Sequence, residues 1–143
     1  MVETYLATAE VTIDVPLRTV WEALTEPSLI SQYMFGTEVR TTWEIGDPIT
    51  YRGEWKGKAY EDKGTILDIQ PGRLLKSTHF SPLSGKEDMP ENYHTLTYTL
   101  GDQDGQTRVT LTQDNNASTD EAEHSRQNWE QMLSGLKEFL ESR

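Results

Sequence analysis

Residues 118–142 read STDEAEHSRQNWEQMLSGLKEFLES, and their spacing predicts one long amphipathic helix that the rest of the chain must cover. Ser118 and Glu121 stand at capping-box spacing, in which the two side chains satisfy free N–H groups of the first helical turn. Asp120, Glu121 and Glu123 suit the positive end of the helix dipole. Ser125, Trp129, Met132, Leu133, Leu136, Phe139 and Leu140 recur at steps of three and four residues. One stripe is therefore apolar for several turns and needs a surface to pack on.

That surface is supplied upstream. Ala7, Ala9, Val11, Ile13 and Val15 alternate with Thr8, Glu10, Thr12 and Asp14, the pattern of a half-buried strand. Pro16 stops the alternation where proline fits the first turn of a helix, and Leu17, Val20, Trp21 and Leu24 follow at helical spacing. Thr25-Glu26-Pro27 reads as a second helix start, with Leu29, Ile30, Tyr33 and Met34 on its apolar side and Gly36 able to end it in a left-handed conformation.

After Gly36 the period returns to two. Turn signals at Gly46-Asp47-Pro48, Lys56-Gly57-Lys58, Pro71-Gly72 and Gly101-Asp102-Gln103-Asp104-Gly105 divide the chain into strands near 37–42, 49–55, 64–70, 74–80, 93–100 and 107–114. Short connections favour an antiparallel meander, because parallel neighbours need long crossovers. The order is strand, two short helices, six strands and a long helix, an α+β domain of two layers with one core over residues 1–143. At this length about two thirds of the unfolded surface is buried.

Composition narrows the partners. Acidic residues number 24 against 13 basic ones, and the net charge of −11 repels phosphate backbones and anionic lipid heads. Neither nucleic acid nor a membrane is expected. With no cysteine, disulfides and thiolate metal sites are excluded and a reducing compartment follows most simply, so the expectation is a cytoplasmic protein. No export signal or bilayer-length apolar run is read at the N-terminus or elsewhere.

The element order, with Val15-Pro16 and Val20-Trp21-Glu22-Ala23-Leu24-Thr25, resembles the activator of heat-shock-protein-90 ATPase homologue family of the START-like superfamily. Stretches at 49–55, 60–64, 78–82, 90–94 and 111–116 resemble its bacterial single-domain branch. The resemblance implies a helix-grip fold, a bent antiparallel sheet wrapped around the C-terminal helix. It also implies a role in ligand carriage, chaperone regulation in the stress response, or cyclisation. Many relatives carry Trp-Trp near the end of the second short helix, where this chain has Tyr33-Met34-Phe35. The resemblance transfers no catalytic residue.

A candidate site follows from strand pairing. If the loop from Ser81 to Asn92 joins neighbouring strands, His79 faces His94, Ser77 faces Leu96, and Leu75 faces Tyr98, while the next hairpin sets His94 opposite Gln113. Leu96, Tyr98, Val109 and Leu111 mark that face as buried. Tyr51 and Trp55 share a face with Ile49 and Gly53, and Gly53 leaves room where a ligand or another backbone can approach. Tyr33, Phe35, Tyr51, Trp55, His79, His94, Tyr98, Gln113, Trp129, Met132 and Leu136 are the expected ligand-binding residues. A small, mostly apolar molecule held between sheet and helix is the leading expectation. The alternatives are contact with a chaperone ATPase and catalysis with His79 or His94 as proton carrier. In the simplest alternative these histidines only bond Gln113, Ser77 or water. His79, His94 and His124 lack the spacing of a metal site, and no cofactor is expected. A monomer or a homodimer fits.

Overall fold

The structure, a computed structural model, describes residues 5–34, 36–55, 57–82 and 85–143, with the side chain of Trp55 outside that description. The elements run β1 (Tyr5–Ile13), α1 (Leu17–Thr25), α2 (Pro27–Tyr33), β2 (Glu38–Arg40), β3 (Pro48–Trp55), β4 (Lys58–Gln70), β5 (Leu74–His79), β6 (His94–Gln103), β7 (Gln106–Asn116) and α3 (Thr119–Glu141). All seven strands form one antiparallel sheet in the order β1-β7-β6-β5-β4-β3-β2. Only the first strand leaves its sequence neighbour, because α1 and α2 carry the chain from one sheet edge to the other.

α3 starts as its sequence dictates. The Ser118 hydroxyl accepts from the Glu121 N–H at 3.1 Å, and the Glu121 carboxyl reaches back to the Ala117 N–H. Its stripe of Met132, Leu133, Leu136 and Leu140 is buried, and the helix packs chiefly on β1, with β7 and α2 to either side. The same core takes Ile13 from β1, Val20 and Leu24 from α1, Ile49 from β3, Ile66 from β4, Leu96 from β6, and Val109 and Leu111 from β7. Leu133 and Leu136 are fully buried, so truncating either to alanine would cost about 2–5 kcal/mol.

Two strands differ most from the sequence reading. Residues 58–63 have no clear apolar alternation, yet they extend β4 because the backbone pairs with the whole of β3, Lys58 opposite Trp55 through Thr65 opposite Pro48. The strand predicted near 37–42 shrinks to Glu38–Arg40, ending before Trp43, whose φ of 61° is left-handed.

One expected register is also overturned. His79 faces His94, Ser77 faces Leu96, and Leu75 faces Tyr98 as expected, but Gln113 pairs with Leu96 rather than with His94. The hairpin turns on Asp104-Gly105, both with positive φ (54° and 92°), directly after the Gln103–Gln106 pair. That two-residue loop shifts the register by two positions and leaves every side chain on its predicted face.

The sheet bends where β4 passes β5. A register shift lies between Ile66 and Asp68, and at Gly64 an added Cβ would stand 1.7 Å from the Thr78 carbonyl oxygen. Gly64→Ala must force the strands apart, whereas a Cβ at Gly101 meets nothing within 4 Å. Denaturant unfolding should show Gly64→Ala destabilised by about 3 kcal/mol or more and Gly101→Ala changed by about 0.5 kcal/mol or less. Equal midpoints for the two variants would contradict this reading of the bend.

Candidate functional site

Because α3 lies along β1 and β7, side chains must span the gap between it and the inner face of β3–β5. They leave a partly enclosed cavity of about 120 Å³ lined by Met34, Thr37, Tyr51, Tyr60, Asp62, His79, Leu96, Tyr98 and Trp129. A smaller space of about 20 Å³ continues past Tyr51 and Tyr98 towards Tyr33, Trp43 and Ile49.

Pairing explains who meets whom. Tyr51 on β3 is directly opposite Asp62 on β4, and the antiparallel run that pairs Lys63 with Phe80 sets His79 beside it on the same face. His79 Nε2 lies 3.1 Å from Asp62 Oδ2, and the Tyr51 and His79 rings meet edge to face with centroids 5.7 Å apart. The carboxyl oxygen accepts, which places the imidazole proton on Nε2. Asp62 Oδ1 is buried and finds no hydrogen-bond partner among the described residues.

Two other polar groups of the wall bond each other. Thr37 Oγ1 donates to the Met34 carbonyl at 2.6 Å, so the Tyr60 hydroxyl, also 2.6 Å from Thr37 Oγ1, is the donor of that pair. The Tyr60 ring lies across Gly53: a Cβ there would come within 2.5 Å of the Tyr60 hydroxyl. The room expected above Gly53 is thus taken by a side chain of this protein. Burial pushes the Tyr51 hydroxyl up to about 12, against the pull of a hydrogen bond with Ser77, and the nearby Asp62 adds to the rise. Tyr98 is raised too, first by burial and then by Tyr51. Both stay protonated at physiological pH and present neutral hydroxyls.

Behind the cavity a polar cluster fixes its helical wall. Trp129 Nε1 donates to Gln113 Oε1 at 2.6 Å, and Gln113 Nε2 donates to Asn116 Oδ1 at 3.1 Å and Ser125 Oγ at 3.2 Å. Asn116 Nδ2 in turn donates to the carbonyls of Tyr5 and Gln113.

Of the residues singled out in the sequence, Tyr51, His79, Tyr98 and Trp129 come together around the larger cavity, and Tyr33 lines the smaller one. Gln113 supports Trp129 from behind, while Met132 and Leu136 belong to the packed core. His94 does not line the cavity; its Nδ1 donates to the Asp114 carbonyl at 2.8 Å. The bonds expected from these histidines to Gln113 or Ser77 give way to Asp62 and Asp114. Phe35 and the Trp55 side chain lie outside the described residues.

Asp62, Tyr60, Thr37 and Met34 were missed. Asp62 sits between the strands predicted near 49–55 and 64–70, in a segment without apolar alternation; its placement opposite Tyr51 is the signal that strand pairing supplies. Among the described residues no group of three or more His, Asp and Glu side chains is placed to hold a metal ion. Among the described residues no helix is long and apolar enough to cross a membrane.

The family model of Activator of Hsp90 ATPase homolog 1-like proteins matches residues 14–141. The chain belongs to this family. A protein from Cytophaga hutchinsonii, known from its solution structure, is 51% identical, with a TM-score of 0.87 over 99% of this chain and 97% of that one. The Aha1 dimer from Colwellia psychrerythraea shares the fold at 19% identity, with a TM-score of 0.74 over 95% of this chain and 96% of that one. DynU16, a putative protein in the dynemicin biosynthetic locus, shares it at 18% identity and a TM-score of 0.78, over 95% of this chain and 47% of that one. A comparison with curated proteins finds no match.

The Gln113–Trp129 bond makes a stability prediction. Trp129→Phe leaves Gln113 Oε1 without its donor and should cost about 1–3 kcal/mol in denaturant unfolding. Gln113→Met also breaks the bonds to Asn116 and Ser125, and the double variant Trp129→Phe/Gln113→Met should cost less than the sum of the two single changes. Strict additivity of the two changes would contradict the bond.

Proposed function

We propose that the protein is a binding domain, not an enzyme, that holds a small, mostly apolar molecule between the inner face of the sheet and α3. The cavity of about 120 Å³ with Tyr51, Leu96, Tyr98 and Trp129 in its wall carries this reading. Its size selects the ligand. Pockets for drug-sized molecules measure about 300–1,000 Å³, whereas an apolar cavity of about 150 Å³ holds benzene. A cavity of this size is matched to no more than a single ring, and a lipid chain or polycyclic polyketide exceeds it.

Two further observations support a ligand over plain packing. Met34 forms part of the wall, and its unbranched thioether adapts to a guest's shape. The Gln113 cluster also holds Trp129 by its one N–H, so the indole face stays at the cavity instead of folding into it. The chaperone-contact alternative rests on the family's description and on the name of the Colwellia relative; no feature of the described surface adds to it. Catalysis by His79 remains the third reading, with Asp62 now in place to orient the ring.

Titration with toluene tests the binding reading. The Trp129 indole Nε1 proton resonance should shift saturably, those of Trp21 and Trp43 far less, and Trp129→Phe should abolish the saturable change in intrinsic fluorescence. If benzene, toluene and phenol at millimolar concentration all leave the Trp129 resonance unmoved, the reading falls.

A further inference from the structure

Among the described residues one fully buried side-chain oxygen, on a residue of the cavity wall, has no hydrogen-bond partner. Thr37 and Tyr60 bond each other, and the Trp129 N–H is taken by Gln113. Asp62 differs. Its side chain is 18% exposed, Oδ2 is held by His79 at 3.1 Å, and Oδ1 is buried with no partner among the described residues. A buried acceptor left in this condition weakens the fold unless a donor reaches it, which makes it informative about what the cavity receives.

We infer that Asp62, oriented by His79, is a specific acceptor for a ligand's hydrogen-bond donor, so that the cavity selects a single-ring phenol or aryl amine over the matching hydrocarbon. This rests on the binding reading above and deepens it. His79 fixes the carboxyl group from one side by an N–H···O bond, which leaves Oδ1 as the atom with free accepting capacity. The ring of such a ligand would lie among Tyr51, Leu96, Tyr98 and Trp129, with its hydroxyl or amino group directed at β4.

Charge argues in the same direction. No lysine or arginine lines the cavity, and the chain carries a net charge of −11. An arenecarboxylate would face the Asp62 carboxyl with only His79 to offset it, so anionic ligands are rejected while neutral and cationic donors are admitted. Phenol and toluene differ by a hydroxyl in place of a methyl at nearly equal volume. Their affinity ratio therefore reads the donor alone, and the change in that ratio on substitution cancels their own hydration.

The experiment measures the dissociation constants of phenol, toluene and benzoate for the wild type, Asp62→Ala and Asp62→Asn, by the Trp129 indole shift. Asp62→Ala should lower the preference for phenol over toluene by about tenfold or more, with toluene still bound, and Asp62→Asn should lower it severalfold. In the wild type the Asp62 carboxyl carbon resonance should move on adding phenol and not on adding toluene, a readout that holds even if Asp62→Ala fails to fold. Toluene and phenol both binding, with a ratio unchanged by either substitution, would overturn the Asp62 assignment and leave the binding reading intact. Benzoate binding more tightly than phenol would overturn it as well. Failure of all three to bind would remove the binding reading, and this inference with it.

Discussion

The apolar stripe of α3 organises this molecule. Met132, Leu133, Leu136 and Leu140 can leave water only against the inner faces of strands, and they do so along β1 and β7. Everything else follows from that choice of end. β3, β4 and β5 continue the sheet past the helix, where no backbone opposes them, so the gap must be spanned by side chains. Large aromatic groups reach across, and because rings of fixed shape seldom tile such a gap completely, a space remains between Tyr51, Tyr98 and Trp129.

The walls of that space are held from outside. Gly64 lets β4 approach the Thr78 carbonyl and bends the sheet over the cavity, Tyr60 lies across Gly53 and bonds Thr37, and Gln113 grips the Trp129 indole. Each device fixes a ring by packing or by a hydrogen bond to a neighbour that is itself satisfied. Preorganisation of this sort lowers the ordering cost of taking up a guest. Asp62 departs from the pattern, with one oxygen anchored by His79 and the other unengaged by the fold. Real proteins break local rules mostly at functional positions, and Asp62 is such a break in the cavity wall.

Much of the architecture could be read from the chain because it rests on strong periodic signals. The 3.6-residue stripe after Ser118, the alternation of β1, and Pro16 and Pro27 at helix starts all reflect local constraints, and each element forms where expected. The pairing of β5 with β6 was legible because a loop from Ser81 to Asn92 left few registers that bury Leu96 and Tyr98. The β6–β7 register was not, since five turn-forming residues from Gly101 to Gly105 allow several hairpin tips and only backbone geometry at Asp104-Gly105 selects one. Residues 58–63 were opaque for another reason. Ala59-Tyr60-Glu61-Asp62-Lys63 lacks the apolar alternation of a buried strand because its inward positions, Tyr60 and Asp62, serve the cavity instead of the core. The residues that matter most to the site were hidden by the same property that makes them useful there.

A crystal pressurised with xenon tests most directly whether sheet and helix enclose open space. The account predicts a xenon peak between Tyr98 and Trp129, with the surrounding side chains unmoved. Rings of Tyr51, Tyr98 and Trp129 in mutual van der Waals contact, with no xenon between them, would contradict it.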